Sequence, residues 1–244
     1  MRFSVITTTF NDIENLKITC GSVRGQDFAD YEYLVIDGGS TDGTVEYLAS
    51  IAQEDRHVRY VSESDHGIYD AMNKGVSIAK GDYIVFLGAA DSFYSQNTLK
   101  EVDELIISKV DVLYGRCVYS SGKKADQKLG YKLRFLNILF DKYVAHQSVY
   151  AKRELLLKYP FDLRYAAQAD QDFMFRMEKL GYNLKYVNVI LAYYDGMGFS
   201  SNSNRYGEFL KERIQMLKIY HPIIYKIRSC GHWVLTHEKY SVED

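Results

Sequence analysis

Along the first half of the chain, short continuous apolar runs alternate with segments whose apolar residues recur every three or four positions. FSVITTTF (3–10), YEYLVID (31–37), VRYVSE (58–63), DYIVFLG (82–88) and VDVLYGRCVY (110–119) have the length and β-branched character of strands. Between them, Val45, Leu48, Ile51 and Ala52 mark one face of a helix over 41–54. Ile68, Met72, Val76 and Ala79 mark a second, stopped by Gly81, and Leu99, Val102 and Ile106 a further one. Asn11 followed by Glu14 predicts a capping box that opens the helix after the first strand. Strands separated by helices need crossover connections, so the pattern predicts βαβ units and a mostly parallel sheet flanked by helices.

The second half is less regular. SSGKK (120–124) reads as a turn, and Phe173, Met177 and Leu180 place a helix near 168–180. NLKYVNVILAYY (183–194) reads as a strand. A helix over 205–220 carries Leu210, Ile214 and Leu217 inward and ends before Pro222. Neither half contains an internal repeat or a low-complexity segment.

With 244 residues, 47% hydrophobic and 25% charged, the chain is long enough for one large α/β domain or two small ones. A net charge of −2 excludes a nucleic-acid binder that relies on bulk positive charge. No apolar run reaches the roughly 18 residues of a membrane span. The opening MRFSVITTTFN has no basic-then-apolar leader, so a cytoplasmic location is expected. Cys20, Cys117 and Cys230 form no CxxC pair and suit a reducing compartment. The 22 tyrosines provide amphipathic surface for sugars, partners or a membrane interface, or simply pack. Charge is unevenly spread: residues 1–100 carry a balance of −7, residues 123–158 one of +6 and residues 205–239 one of +4.

In an open parallel sheet, ligands bind beyond the carboxyl ends of the strands. Here those ends read Thr8-Thr9-Phe10-Asn11, Asp37-Gly38-Gly39-Ser40, Glu63-Ser64-Asp65-His66-Gly67 and Gly88-Ala89-Ala90-Asp91. Asp and Gly are common in turns for capping alone, yet several acidic ends on one edge define a candidate site. GGSTDG follows the second strand and lacks the GxGxxG spacing, and GxxxxGK[ST] is absent, which argues against dinucleotide and P-loop chemistry.

SVITTTFN, YLVIDGGSTDGT and ESDHGIYDAMNKGVSIAKGDYIVFLGAAD, in this order and spacing, resemble the nucleotide-sugar-binding half of the family 2 glycosyltransferases, which have the GT-A fold. The likeness continues more loosely through HQSVYAKREL, AQADQDFMFRM and YYDGMGFSS, and is strongest to bacterial enzymes that assemble cell-surface polysaccharides. It implies a GT-A domain over 1–204, with 1–95 binding the donor and 96–204 the acceptor, and a helical extension over 205–244. It also implies that Thr8, Thr9 and Phe10 cradle the nucleotide base and that Asp37 accepts a hydrogen bond from it. Asp65 falls near the ribose and phosphate of the donor. Asp91 matches the last aspartate of a DxD-like motif that holds Mg²⁺ or Mn²⁺ on the diphosphate, and Asp170 matches the catalytic base. Two positions depart from the family pattern: Ala90 and Gly38 each stand where an acid is common.

The chemistry agrees with those roles. Breaking a sugar–phosphate bond concentrates negative charge on the leaving diphosphate, and a hard cation stabilises it. Mg²⁺ takes only one or two carboxylates beside substrate phosphates, so Asp91 suffices. An acceptor hydroxyl needs a base as it attacks, and attack opposite the diphosphate inverts the anomeric centre. Asp170 and Asp172 point to opposite sides of a helix; the resemblance selects Asp170, leaving Asp172 facing solvent or pairing with Arg176. His146-Gln147 reads equally well as an acceptor-site pair or as structural. His66 and Lys74 are candidates for phosphate contact, and Tyr69, Tyr193 and Tyr194 for sugar stacking, with solvent exposure and core packing as the plainer readings.

KLRFLNILFDKYV (132–144) and IIYKIRSCGHWVL (223–235) mix apolar bulk with positive charge, as a segment on an anionic bilayer or a helix packed on the domain would. The expected reaction is metal-dependent, inverting transfer from a nucleotide-diphosphate sugar, with uridine the default base, to a saccharide or polyprenyl-diphosphate-linked saccharide. Peripheral membrane contact at the inner face accompanies that expectation. The competing expectation is a non-catalytic nucleotide-sugar-binding scaffold.

Overall fold

The computed structural model describes residues 1–107, 109–120, 124–196 and 206–230. β1 (Phe3–Thr9), α1 (Ile13–Arg24), β2 (Tyr31–Asp37), α2 (Thr44–Glu54), β3 (Val58–Ser62), α3 (Ile68–Ile78) and β4 (Tyr83–Phe86) alternate as expected. They are followed by β5 (Ser92–Phe93), α4 (Thr98–Leu105), β6 (Val112–Tyr119), β7 (Lys128–Leu129), α5 (Phe135–Leu139) and β8 (Val149–Lys152). Then come α6 (Arg153–Lys158), α7 (Ala169–Lys179), β9 (Leu184–Tyr194), α8 (Tyr206–Tyr220) and α9 (Pro222–Cys230).

The strands form one sheet in the order β3-β2-β1-β4-β8-β6-β9-β5, with β7 on β6. β3, β2, β1 and β4 run parallel to one another. Beyond β4 the sheet is mixed: β8 runs antiparallel to both β4 and β6, β6 and β9 are parallel, and β5 is antiparallel to β9. The parallel expectation therefore holds for the first half of a mixed α/β sheet. The two-residue strands β5 and β7 are too short to leave a periodic signal.

Alternating side chains on the central strands feed two cores. Ile6, Ile36, Ile84 and Phe86 face α3, α6, α7 and α8 through residues such as Met72, Leu156, Phe173 and Met216. Val5, Val35, Val85 and Leu87 face α1, α2 and α4 through Leu16, Leu48 and Leu99. Burial on both faces explains why these strands read as continuous apolar runs.

Local signals misplaced two details. Asn11 is not a capping residue; it lies at φ +49°, and its Oδ1 accepts from the Thr41 N–H. The first turn of α1 is instead served by Asp42, whose Oδ2 accepts from the Ile13 N–H at 3.0 Å. A partner from the next loop outcompetes the local box. Gly81 does not end α3 either, since the backbone is already extended at Ala79. Gly81 is needed for close packing: a Cβ there would sit 2.4 Å from the Ser4 nitrogen.

The SSGKK turn lies partly outside the described residues, as do MGFSS of the last family-like motif, Arg205 and Trp233. Among the described residues no helix is long and apolar enough to cross a membrane.

Candidate active site

From β1 the sheet is built in both directions, through β2 and β3 on one side and β4 on the other, so a crevice opens at the carboxyl ends of β1 and β4. A cavity of about 650 Å³ occupies it. Thr8, Thr9, Phe10, Asp65, Asp91 and Asp170 all line it, so six of the seven sequence-derived site residues meet in one place.

Asp37 is the exception. It is fully buried, and its carboxylate is taken up by its own neighbourhood. Oδ2 accepts from the Gly39 and Ser40 N–H groups and the Ser62 hydroxyl, and Oδ1 from the Ser40 hydroxyl. These four internal donors give Asp37 a loop-organising role in the structure, three of them on Oδ2 and one on Oδ1, and it does not line the cavity with the other six. The departure at Gly38 has a steric reason as well. A Cβ there would lie 2.9 Å from Asp65 Oδ2 and 3.2 Å from Phe10, so the cavity-lining Asp65 occupies the space an acid at 38 would need.

Asp91 follows β4 and is 4% exposed. Its Oδ2 accepts from the Gly88 N–H and from Gln147 Nε2, and its Oδ1 from the Asp195 N–H, at 3.0–3.1 Å. Burial pushes this carboxyl up, against the charge of His146 and these donors. Ala90, just before it, sits at φ +74°, a left-handed conformation that strains a residue with a Cβ.

Asp170 lies in the first turn of α7, where the helix dipole favours an anion. Its Oδ1 accepts from the Tyr69 hydroxyl at 2.9 Å, and its Oδ2 lies 3.5 Å from His146 Nδ1. Burial raises this carboxyl, but His146, by hydrogen bond and charge, together with Tyr69 and the backbone, outweighs it and holds Asp170 below the usual carboxylate range. Burial likewise lowers His146, whereas Asp170 and the charge of Asp91 bring its net value above the ordinary one. His146 and Gln147 thus touch one acid each. The pair read equally as structural or functional lies between the two acids.

Asp172 takes no part in the cavity lining and does not face solvent. It is 3% exposed, accepts from the Tyr220 hydroxyl at 2.8 Å and lies 3.4 Å from Arg176. It ties α8 to α7. Lys74 pins its loop instead of lining the cavity, donating to the Ser64 carbonyl and pairing with Glu63 and Asp70. Tyr69 both packs and bonds Asp170, Tyr194 lines the cavity, and Tyr193 packs on Tyr94.

Several lining residues escaped the sequence reading. Gln168 and Gln171 flank Asp170, are at most 4% exposed, and each has an Oε1 with no hydrogen-bond partner. Thr9 Oγ1 is buried and unpartnered too. Such atoms are rare in folded proteins and mark places where a ligand or water completes the bonding. The glutamines lie in AQADQDF (167–173), a segment already singled out for Asp170, which was their one available signal. Tyr131, Tyr143 and Arg213 also line the cavity, with the Arg213 guanidinium 4.0 Å from the Tyr143 ring centre; no local pattern announces them.

Among the described residues no group of three or more His, Cys, Asp or Glu side chains could by itself hold a metal ion. Asp91 nevertheless fits a cation whose remaining ligands come from substrate. It is a buried carboxylate hydrogen-bonded by neutral N–H donors, with the charge of His146 acting on it without a hydrogen bond, and Oδ1 accepts a single bond. That donor set is one that Mg²⁺ or Mn²⁺ shares with phosphate oxygens.

The sheet and its flanking helices have the GT-A fold of glycosyltransferases. Staphylococcus aureus TarS residues 1–349 in complex with UDP superpose with a TM-score of 0.70 at 19% identity, covering 90% of this chain and 65% of that one. The mannosyltransferase PcManGT from Pyrobaculum calidifontis, in complex with GDP-Man and Mn²⁺, also gives 0.70 at 19% identity, over 95% of this chain and 69% of that one. The sequence model described as Glycosyl transferase family 2 matches residues 4–154, and the chain belongs to that family. A PGL/p-HBAD biosynthesis glycosyltransferase of Mycobacterium bovis is 34% identical over 86% of this chain and 82% of its own length. The amylovoran biosynthesis glycosyltransferase AmsB of Erwinia amylovora is 25% identical over 90% and 78%. The protein is a glycosyltransferase that moves sugars in glycan biosynthesis.

Proposed function

We propose that the protein transfers one sugar, with inversion, from a nucleoside-diphosphate sugar, UDP-linked as first choice, to a saccharide or polyprenyl-diphosphate-linked saccharide at the cytoplasmic face of the membrane. The observation that carries this reading is that Asp91 and Asp170 share one cavity and are set electrostatically in opposite directions.

In this reading the donor lies across the β1 and β4 ends, between Thr8, Thr9, Phe10 and Asp65. Asp91 holds Mg²⁺ or Mn²⁺ against the diphosphate; when bound, the ion offsets the charge that develops on the leaving group. Asp170, ionised at neutral pH, accepts the proton of the acceptor hydroxyl as its oxygen bonds to the anomeric carbon. The bond from that carbon to the phosphate oxygen breaks on the opposite face, and its electron pair leaves with the nucleoside diphosphate. His146 and Tyr69 hold Asp170 in place, and the open Oε1 atoms of Gln168 and Gln171 accept from acceptor hydroxyls. Tyr131 and Tyr143 supply apolar faces at the acceptor end. Residues 1–95 then form the donor half, 96–204 the acceptor half, and 205–244 a C-terminal helical extension.

Calorimetric titration with UDP, with and without Mn²⁺, tests the donor side. Asp91→Asn should remove the Mn²⁺-dependent part of UDP affinity while a melting curve shows an intact fold. Undiminished Mn²⁺-dependent binding would overturn the assignment of Asp91.

A further inference from the structure

Two amphipathic segments far apart in sequence meet beside the cavity. α5 and α9 pack on one another, and Arg228 of α9 donates to the Ile138 carbonyl and pairs with Asp141 just after α5. α9 turns Ile224 and Arg228 inward. Its Ile223 and Ile227, one turn apart, are 67% and 44% exposed. On and after α5, Phe135, Leu136 and Phe140 are 47%, 63% and 53% exposed, although the same short helix buries Ile138. Phe140 makes a further contact, and the other four, Phe135, Leu136, Ile223 and Ile227, exposed on two touching elements, exceed the scattered exposure normal on a protein surface.

The exposed charges around them are mainly positive, with Glu208 of α8 an exposed exception. Lys132, Arg134, Lys142, Lys218 and Lys226 are all exposed. The other acids of these segments are engaged inward: Asp141 by Arg213 and Arg228, and Glu212 by the Ala166 and Ala167 N–H groups. The connection between β7 and α5 and the middle of α8 contribute Tyr131 and Arg213 to the cavity wall, so the patch adjoins the acceptor end of the cavity.

We infer that the α5–α9 face is a docking surface for an anionic lipid bilayer, seating its apolar side chains at the acyl boundary with the lysines among the headgroups. Apolar residues framed mainly by cations match an anionic interface, whereas a protein partner or a second copy of this chain would have to supply a matching acidic rim. Docked in this way, the acceptor end of the cavity opens next to the membrane, where an acceptor carrying a lipid is presented. The acceptor-end placement rests on the proposed sugar transfer, whereas vesicle binding needs no turnover, so the two can fail separately.

Co-flotation of the full chain with phosphatidylglycerol-rich vesicles tests it, with pure phosphatidylcholine vesicles as the comparison. Binding is expected to the anionic vesicles at low salt and to fall as salt screens the charges. The double variants Leu136→Ser with Ile223→Ser, and Arg134→Glu with Lys226→Glu, should each lower the partition coefficient at least roughly tenfold. Both change exposed side chains only, so melting curves should be unchanged; if one variant melts early, the other decides. Absence of flotation at low salt, or partition undiminished in the variants, would overturn the proposal. So would a concentration-dependent dimer that the Leu136→Ser, Ile223→Ser pair abolishes without any vesicle binding, which would assign the face to a second copy.

Discussion

The two ends of the cavity treat a carboxylate in opposite ways. At the β4 end, Asp91 is hydrogen-bonded by amide donors alone, and burial raises its pKa against those donors and the charge of His146. At the α7 end, Asp170 faces an imidazole, a phenol and a helix N-terminus, and its pKa falls. The difference shows how one fold prepares two acids for different partners. A buried anion with neutral donors still calls for a cation, and one already paired with a cation stays ionised and open to a proton.

The largest expected effect comes from removing the paired acid. Asp170→Asn should lower kcat by a factor on the order of 10² or more while UDP affinity measured by calorimetry stays within error. Equal loss of UDP binding in Asp170→Asn and Asp91→Asn would erase the contrast between the two ends. Next, Gln147→Ala removes one of the three donors that fix Asp91, and Mn²⁺-dependent UDP affinity should weaken about tenfold. A change in kcat alone would move Gln147 to the other end of the cavity.

His146→Asn sharpens the comparison through pH. Without the imidazolium, burial dominates at Asp170 and its pKa rises. The acid limb of a kcat/KM profile, which lies below the usual carboxylate range in the native protein, should therefore move to higher pH, with little change near neutrality. A limb that stays in place would show that His146 does not set the charge of Asp170. The smallest effect on chemistry belongs to Asp172→Asn: kcat should be unaffected, while loss of a charged acceptor for Tyr220 and Arg176 should cost about 1–3 kcal/mol in a denaturant titration.

Much of the donor end was legible in the sequence because it is local. β1, β2, α3 and β4 declare themselves by period, and each strand end carries its polar residues a few positions on, so sheet order alone brings Thr8, Asp65 and Asp91 together. Asp37 shows the limit of that logic. Its position at a strand end was correct, but whether the side chain faces a ligand or its own loop depends on Ser62 of the neighbouring strand. The acceptor end was far less legible. Tyr69 reaches Asp170 across 101 positions and Gln147 reaches Asp91 across 56, and no local period encodes a contact at such a separation.

The order of apolar and polar residues thus determined the strands, the helices and which acids stand at the sheet edge, because backbone period and burial on two faces depend on neighbours in the chain. The tertiary structure decided the state of each acid. Proton affinity follows from what lies within a few ångströms, and folding brings to Asp91 and Asp170 the amides, the imidazole and the phenol that separate their roles.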